Sequence, residues 1–138
     1  MRTILIYSSQ SKKFDMLVET ISSSLQRLGN QVKKVKVEEE QRPVSLFAYD
    51  LVFIGSPVMG FWGGKFSEEL SSYIRKCTGF QGKKSAVFVF PKLLGTVKAT
   101  RRLMHELEKK GSIVIDFRQI KKIADAKKFG NRLGKLNK

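Results

Sequence analysis

The chain alternates between short, continuously apolar runs and longer segments whose apolar residues recur at helical spacing. The first run, residues 2–7, is followed by apolar side chains at every third or fourth position until Gly29. An apolar run of this length predicts a buried strand, and the spacing after it predicts an amphipathic helix that stops at a glycine. The chain therefore begins with a strand, a loop and a helix.

Four further strands are predicted. Residues 31–37 place valines among lysines, which indicates a half-exposed strand near a sheet edge. Residues 49–54 and 85–90 are continuous apolar runs, as in central strands that are covered on both faces. Residues 112–117 predict the fifth strand.

Three further helices are predicted at about 67–77, 97–111 and 125–136. Ser67 is the expected N-cap of the first of them. The last contains Gly130 and Gly134, each of which weakens a helix by about 1 kcal/mol relative to alanine. Strands separated by helices predict an α/β fold with a parallel sheet and helices on both faces.

The expected strand order is 2-1-3-4-5, within a single domain over residues 1–138. That order places a topological switch between the first and third strands. Ligands of such folds bind in the crevice outside the carboxyl ends of the strands at this switch. A ligand site is therefore expected where the loops after the first, third and fourth strands meet.

Composition narrows the class of protein. The longest apolar runs are far shorter than a membrane span, and the first residues lack the apolar stretch of a signal peptide, so a cytoplasmic location is the expectation. Cys77 is the only cysteine and His105 the only histidine, which excludes an intrachain disulfide and predicts no metal site. Cys77 is expected in a buried helix position and His105 on an exposed helix face.

The formal net charge of +15 predicts a positive field that attracts phosphates, acidic proteins or nucleic acid. Much of it lies in the segment 118–138, where Asp125 is the only acidic residue. A solvated basic helix face is the favoured interpretation of this segment. Nucleic-acid binding is less favoured, since no recognised motif is present and Phe129 is its only aromatic residue.

The loop after the first strand is a candidate anion site, because free N–H groups and the positive end of a helix dipole meet at a strand-to-helix turn. Its serines add hydroxyl donors and its lysines add charge. An alternative is a solvated turn with an N-cap serine. The candidate binding residues in this loop are Ser8, Ser9, Gln10, Ser11, Lys12 and Lys13.

The loop after the third strand carries the only tryptophan, beside a phenylalanine and among glycines. Such aromatic faces can stack on a planar ring. The alternative is a hydrophobic lid or a partner-docking patch. Its candidate residues are Pro57, Val58, Met59, Gly60, Phe61 and Trp62, and those of the loop after the fourth strand, on the other side of the same pocket, are Pro91, Lys92, Leu93 and Gly95.

Two segments carry a family resemblance. Residues 4–11, Ile-Leu-Ile-Tyr-Ser-Ser-Gln-Ser, and residues 49–57, Tyr-Asp-Leu-Val-Phe-Ile-Gly-Ser-Pro, resemble flavodoxins and flavodoxin-like flavin proteins. The resemblance implies a flavodoxin-like three-layer sandwich, with FMN as cofactor. The family's phosphate loop has the form Ser/Thr-x-Thr-Gly-x-Thr. Here Ser9 and Ser11 keep two hydroxyls, Lys12 replaces the glycine, and Phe14 replaces the last hydroxyl.

The leading hypothesis is an FMN-binding redox protein, either an electron carrier or a small flavin-dependent reductase that acts on a planar acceptor. The flavin would supply the redox chemistry, so no catalytic side chain is required. Because flavodoxins that shuttle electrons are typically acidic, the opposite charge here suggests different partners, or a redox partner with an acidic surface. The alternatives are a flavin-free binding module that engages an acidic protein or nucleic acid through its basic surface and aromatic loop, and a protein that binds another phosphorylated ligand.

Overall fold

A computed structural model describes residues 1–40, 42–60 and 64–137. Five parallel strands form one sheet in the order β2-β1-β3-β4-β5, which confirms the predicted α/β fold and strand order. The strands are β1 (Arg2–Tyr7), β2 (Gln31–Lys36), β3 (Leu51–Pro57), β4 (Lys84–Phe90) and β5 (Ile113–Gln119).

Four α-helices connect or follow the strands: α1 (Lys12–Arg27), α2 (Glu68–Lys76), α3 (Thr96–Lys109) and α4 (Ile123–Gly134). Short 3-10 helices lie at Leu46–Ala48 and Lys135–Asn137. Ser11 caps α1 by accepting a hydrogen bond from the Phe14 N–H, and Ser67 caps α2 as predicted. Within residues 1–40, 42–60 and 64–137, every helix is too short or too polar to span a bilayer.

The third strand begins and ends later than its apolar run predicts. Tyr49 closes the preceding 3-10 turn with a hydrogen bond to Leu46, so the strand starts at Leu51. Its pairing with β4 continues to Pro57, which lies opposite Phe90. The Gly-Ser-Pro segment is therefore the last part of the strand, and the loop of the site begins at Val58.

The sheet is covered on both faces. α2 and α3 pack on one face over a cluster that includes Ile54, Leu70 and Leu103. α1 and α4 pack on the other face, where Phe53 and Phe88 belong to a second cluster. All residues of β3 except the last are buried, as expected for a central strand with an apolar layer on each side.

Gly130 and Gly134 lie on the buried face of α4, against α1. A Cβ atom on Gly130 would lie 2.8 Å from the Ser24 Cβ and 3.0 Å from the Ile21 carbonyl oxygen. The two glycines thus let the helices approach closely, and burial of Phe129 and Leu133 in the same contact supports the helix. Tertiary packing offsets the low helix propensity that the sequence indicates.

Cys77 is fully buried, but at the C-cap of α2 with extended backbone rather than inside the helix. Burial raises the pKa of its thiol above the ordinary value of 9.0. Since the thiolate is the reactive form, we expect iodoacetamide to alkylate the native protein roughly a hundredfold more slowly than the urea-unfolded protein. Stoichiometric labelling at equal rates in both states, followed by mass spectrometry, would contradict the burial of this residue.

Candidate functional site

At the carboxyl edge of the sheet, main-chain hydrogen bonds tie the first residue after β1 to β3 and the first residue after β3 to β4. The Ser8 N–H donates to the Gly55 carbonyl oxygen at 3.1 Å, and the Val58 N–H donates to the Phe90 carbonyl oxygen at 3.0 Å. The three loops therefore lie side by side at the switch between β1 and β3. This is where the strand order places a ligand crevice.

The first loop has a buried inner side and an exposed outer side. Ser8 and Ser9 are buried, and the Ser9 hydroxyl donates to the Ser11 carbonyl oxygen at 3.0 Å. Gln10, Lys12 and Lys13 are exposed. Their three amide N–H groups have no hydrogen-bond acceptor within residues 1–40, 42–60 and 64–137. These amides, at the N-terminus of α1, are the donors that remain for an anion.

Phe14 explains why the loop lacks its last hydroxyl. The side chain is only 2% exposed, and its ring stacks on Phe88 with centroids 5.9 Å apart and planes 15° apart. The ring also meets Phe90 edge-on at 6.3 Å. Phe14 therefore packs in the core between α1 and the sheet and does not face the proposed ligand site.

Glu38 is a site residue that sequence reasoning missed. It lies just beyond β2, and its carboxylate accepts hydrogen bonds from the Ser8 hydroxyl and, at 3.1 Å, from the Ser9 N–H. A carboxylate thus uses two donors on the inner side of the first loop. The strand order was the available signal, because β2 lies next to β1 and brings residues after both strands together.

Negative charge collects around this loop despite the basic composition. Burial raises the pKa of the Tyr7 phenol above 10.0, and the carboxylates of Asp15 and Glu39 raise it further. Asp15 lies in the first turn of α1, and its carboxylate contacts the Lys36 ammonium at 3.4 Å. Carboxylates that follow β2 and begin α1 therefore act on the end of β1.

The second loop starts as a narrow hairpin. The Met59 N–H donates to the Lys65 carbonyl oxygen at 2.7 Å, and the reverse bond is 3.3 Å long. Pro57, Met59 and Gly60 are partly exposed and Val58 is buried. Gly60 has a φ of 94°, which only glycine adopts readily. The predicted ring-stacking residues Phe61 and Trp62 lie outside the described residues.

The third loop is tied to the second. The Lys92 ammonium donates to the Gly60 carbonyl oxygen at 2.6 Å, and the Lys92 main chain is bonded to the Thr96 hydroxyl. Leu93 is 97% exposed and Leu94 is 50% exposed, which is unusual for leucines. Lys92 thus links two loops, and the leucines leave apolar surface exposed on the third loop. Pro91 and Gly95 complete the loop and are partly exposed.

A basic groove of about 960 Å³ begins at the third loop and follows α3. Leu93 and Val97 supply apolar surface, and Lys98, Arg101 and His105 are exposed along it, the last as predicted. None of the ion pairs among the described residues involves Lys98 or Arg101. The described residues also contain no group of acidic, histidine and cysteine side chains that could hold a metal ion.

No protein-family model matches the chain, and no curated protein matches it. Solved structures do match. Oxidised flavodoxin 1 from Bacillus cereus has a TM-score of 0.80 at 17% identity, covering 99% of this chain and 99% of that chain. Two-electron-reduced flavodoxin from Megasphaera elsdenii has a TM-score of 0.75 at 18% identity, covering 96% and 98%. The flavodiiron protein from Giardia intestinalis has a TM-score of 0.76 at 12% identity, covering 97% of this chain and 35% of that chain.

These similarities show that the chain has the flavodoxin-like fold, as the resemblance of its first and third strands implies. The fold is shared nearly end to end with two flavodoxins.

Proposed function

We propose that this chain is an FMN-binding redox protein, either an electron carrier or a small flavin-dependent reductase. The observation that carries the proposal is that three loops start side by side at one sheet edge, with free amide donors on the first loop and exposed apolar side chains on the third. The flavodoxins of similar structure support the same ligand. The flavin-free alternative has less support, since the similar structures are flavodoxins and flavodiiron proteins.

The donors of the first loop suit a phosphate. The amide N–H groups of Gln10, Lys12 and Lys13 point from the start of a helix, and the two ammonium groups supply charge in place of the lost glycine and hydroxyl. Ser11 keeps its hydroxyl at the cap of α1. These residues would hold the phosphate end of FMN.

The apolar residues of the other loops suit a planar ring. Met59 and Gly60 are partly exposed on the second loop, Leu93 is exposed on the third, and we propose that the ring lies between these two loops. Phe61 and Trp62 are proposed as stacking residues, on the basis of the sequence alone. FMN supplies electron and hydride transfer when bound, while these side chains orient the ring and exclude water from it.

Titration of the purified protein with FMN tests this proposal. We expect the flavin fluorescence to be quenched with a dissociation constant of about 1 μM or tighter, which corresponds to about −8 kcal/mol. The fluorescence of Trp62, the only tryptophan, should change in the same titration. A colourless protein that changes neither signal at physiological salt would refute FMN binding.

We further propose that the redox partner presents an acidic surface to the basic groove along α3. The groove begins at the same loop that borders the crevice, and Lys98 and Arg101 carry charge that no acidic residue of the described chain neutralises. Complementary charge speeds the encounter of proteins more than it tightens their complex. The groove would therefore guide a partner toward the flavin.

Small redox probes test the field around the crevice. We expect ferricyanide, an anion, to reoxidise the reduced FMN-loaded protein several-fold more slowly in Lys98→Glu/Arg101→Glu, because the variant loses the local positive field. Stopped-flow absorbance at low and high salt measures the rate. The control is Lys33→Glu/Lys84→Glu, which has the same net charge. Equal slowing in both variants would mean that net charge, not the groove, guides the acceptor.

A further inference from the structure

Two carboxylates lie close to the helix terminus at which the phosphate is proposed to bind. Glu38 accepts hydrogen bonds from the Ser8 hydroxyl and the Ser9 N–H on the inner side of the first loop. Asp15 lies in the first turn of α1. An anion bound at this helix terminus would lie near both carboxylates, which already interact with the positive end of the helix dipole.

Glu38 is the more important of the two. The charge of Asp15 is offset by Lys36 at 3.4 Å, whereas none of the ion pairs in the described ranges involves Glu38. Its exposed carboxylate accepts hydrogen bonds from two neutral donors, and no cation of the described residues is paired with it. The two lysines of the first loop, Lys12 and Lys13, are exposed, and the Lys13 ammonium lies 5.5 Å from the centroid of the Phe90 ring, not at Glu38. A phosphate dianion in the loop would be attracted by the ammonium groups of Lys12 and Lys13 and repelled by the carboxylate of Glu38.

We propose that Glu38 is a specificity residue that suppresses the preference of the crevice for the phosphate of FMN. The inference rests on the proposed flavin function and specifies its ligand class: the ring supplies most of the affinity, and a flavin without a phosphate binds almost as well. The physical basis is like-charge repulsion, together with two loop donors that are already in use.

A matched pair of variants tests the role of the charge. Glu38→Gln removes the charge but keeps a carbonyl oxygen that can accept from Ser9. Glu39→Gln removes the charge of a neighbour that is exposed, as Glu38 is, but accepts no hydrogen bond from the described part of the first loop. We expect the wild-type protein to bind FMN less than about tenfold more tightly than riboflavin. Glu38→Gln should raise the ratio of FMN affinity to riboflavin affinity by about tenfold or more, because FMN binds more tightly while riboflavin binding is unchanged. Glu39→Gln should leave this ratio near the wild-type value.

A purely structural role for Glu38 gives a different result. If the residue only braces the loop, Glu38→Gln will leave the ratio unchanged, and Glu38→Ala will weaken FMN and riboflavin equally. A strong wild-type preference for FMN would likewise overturn the proposal. In each of these cases both flavins still bind, so the proposed function survives while the role of Glu38 does not.

Inorganic phosphate provides a readout without flavin. Backbone amide spectra of Ser9, Gln10, Lys12 and Lys13 should shift at several-fold lower phosphate concentration in Glu38→Gln than in the wild-type protein. Identical phosphate titrations would overturn the role of Glu38. If neither flavin binds to any variant but the phosphate titrations differ, the proposed function fails while the charge effect of Glu38 stands.

Discussion

Replacing Gly55 by alanine will lower the free energy of unfolding by about 3 kcal/mol, at the upper end of the usual range for overpacking a core. Gly55 lies opposite Phe88 in the pairing of β3 with β4, and the phenylalanine ring covers it. A Cβ atom on Gly55 would lie 2.2 to 2.8 Å from three carbon atoms of that ring. The ring cannot retreat easily, because Phe14 and Phe129 pack against it. Urea denaturation monitored by circular dichroism measures the change.

A second substitution separates overpacking from other causes. Phe88→Leu shortens the side chain that the new methyl group meets, so the double variant Gly55→Ala/Phe88→Leu should be less destabilised than the sum of the single variants by about 1 kcal/mol or more. Additive single and double variants would show that the Gly55 methyl group does not conflict with the ring.

Reversing both charges on the outer side of the first loop will weaken FMN binding by about a hundredfold, or about 3 kcal/mol. Lys12 and Lys13 are exposed beside the free amides at the start of α1, where the phosphate is proposed to bind. In Lys12→Glu/Lys13→Glu, two attractive charges become repulsive. Riboflavin lacks the phosphate, so its affinity should change by less than about threefold. Flavin fluorescence titrations at fixed salt measure both ligands.

The control for this prediction is Lys33→Glu/Lys84→Glu, which has the same net charge but leaves the first loop intact. We expect it to weaken FMN binding by less than about threefold at physiological salt, because screening limits the effect of distant exposed charges. Equal losses in the two double variants would place the phosphate elsewhere or show that it binds without a defined site.

The fold could be predicted because the relevant signals are local. The buried runs at 51–54 and 86–89 and the valine-lysine alternation in β2 follow directly from which faces of each strand are covered. The alternation of strands and helices then restricts the sheet to a few topologies. The convergence of the three loops follows from the strand order.

The interior of the site could not be predicted in the same way. Glu38 contacts Ser8 and Ser9 only because β2 pairs with β1, a contact across thirty residues of sequence. Lys92 was expected to bind a ligand, and the structure shows its ammonium on the Gly60 carbonyl oxygen. The low helix propensity of Gly130 predicts a less stable helix, whereas the structure shows that α1 packs directly against this glycine. In each case the structural role of the residue depends on a neighbour in space that the local sequence does not identify.

The most direct test of the account is to map FMN binding onto the backbone amides by NMR. A flavin in the crevice should perturb amides in 8–13, 58–60 and 92–96, while those along the exposed face of α3 and at the amino edge of the sheet remain near their original positions. The account would be contradicted if FMN perturbed chiefly Lys98, Arg101 and their neighbours in the basic groove, because the phosphate would then be held by surface charge and the three loops would not form a flavin site.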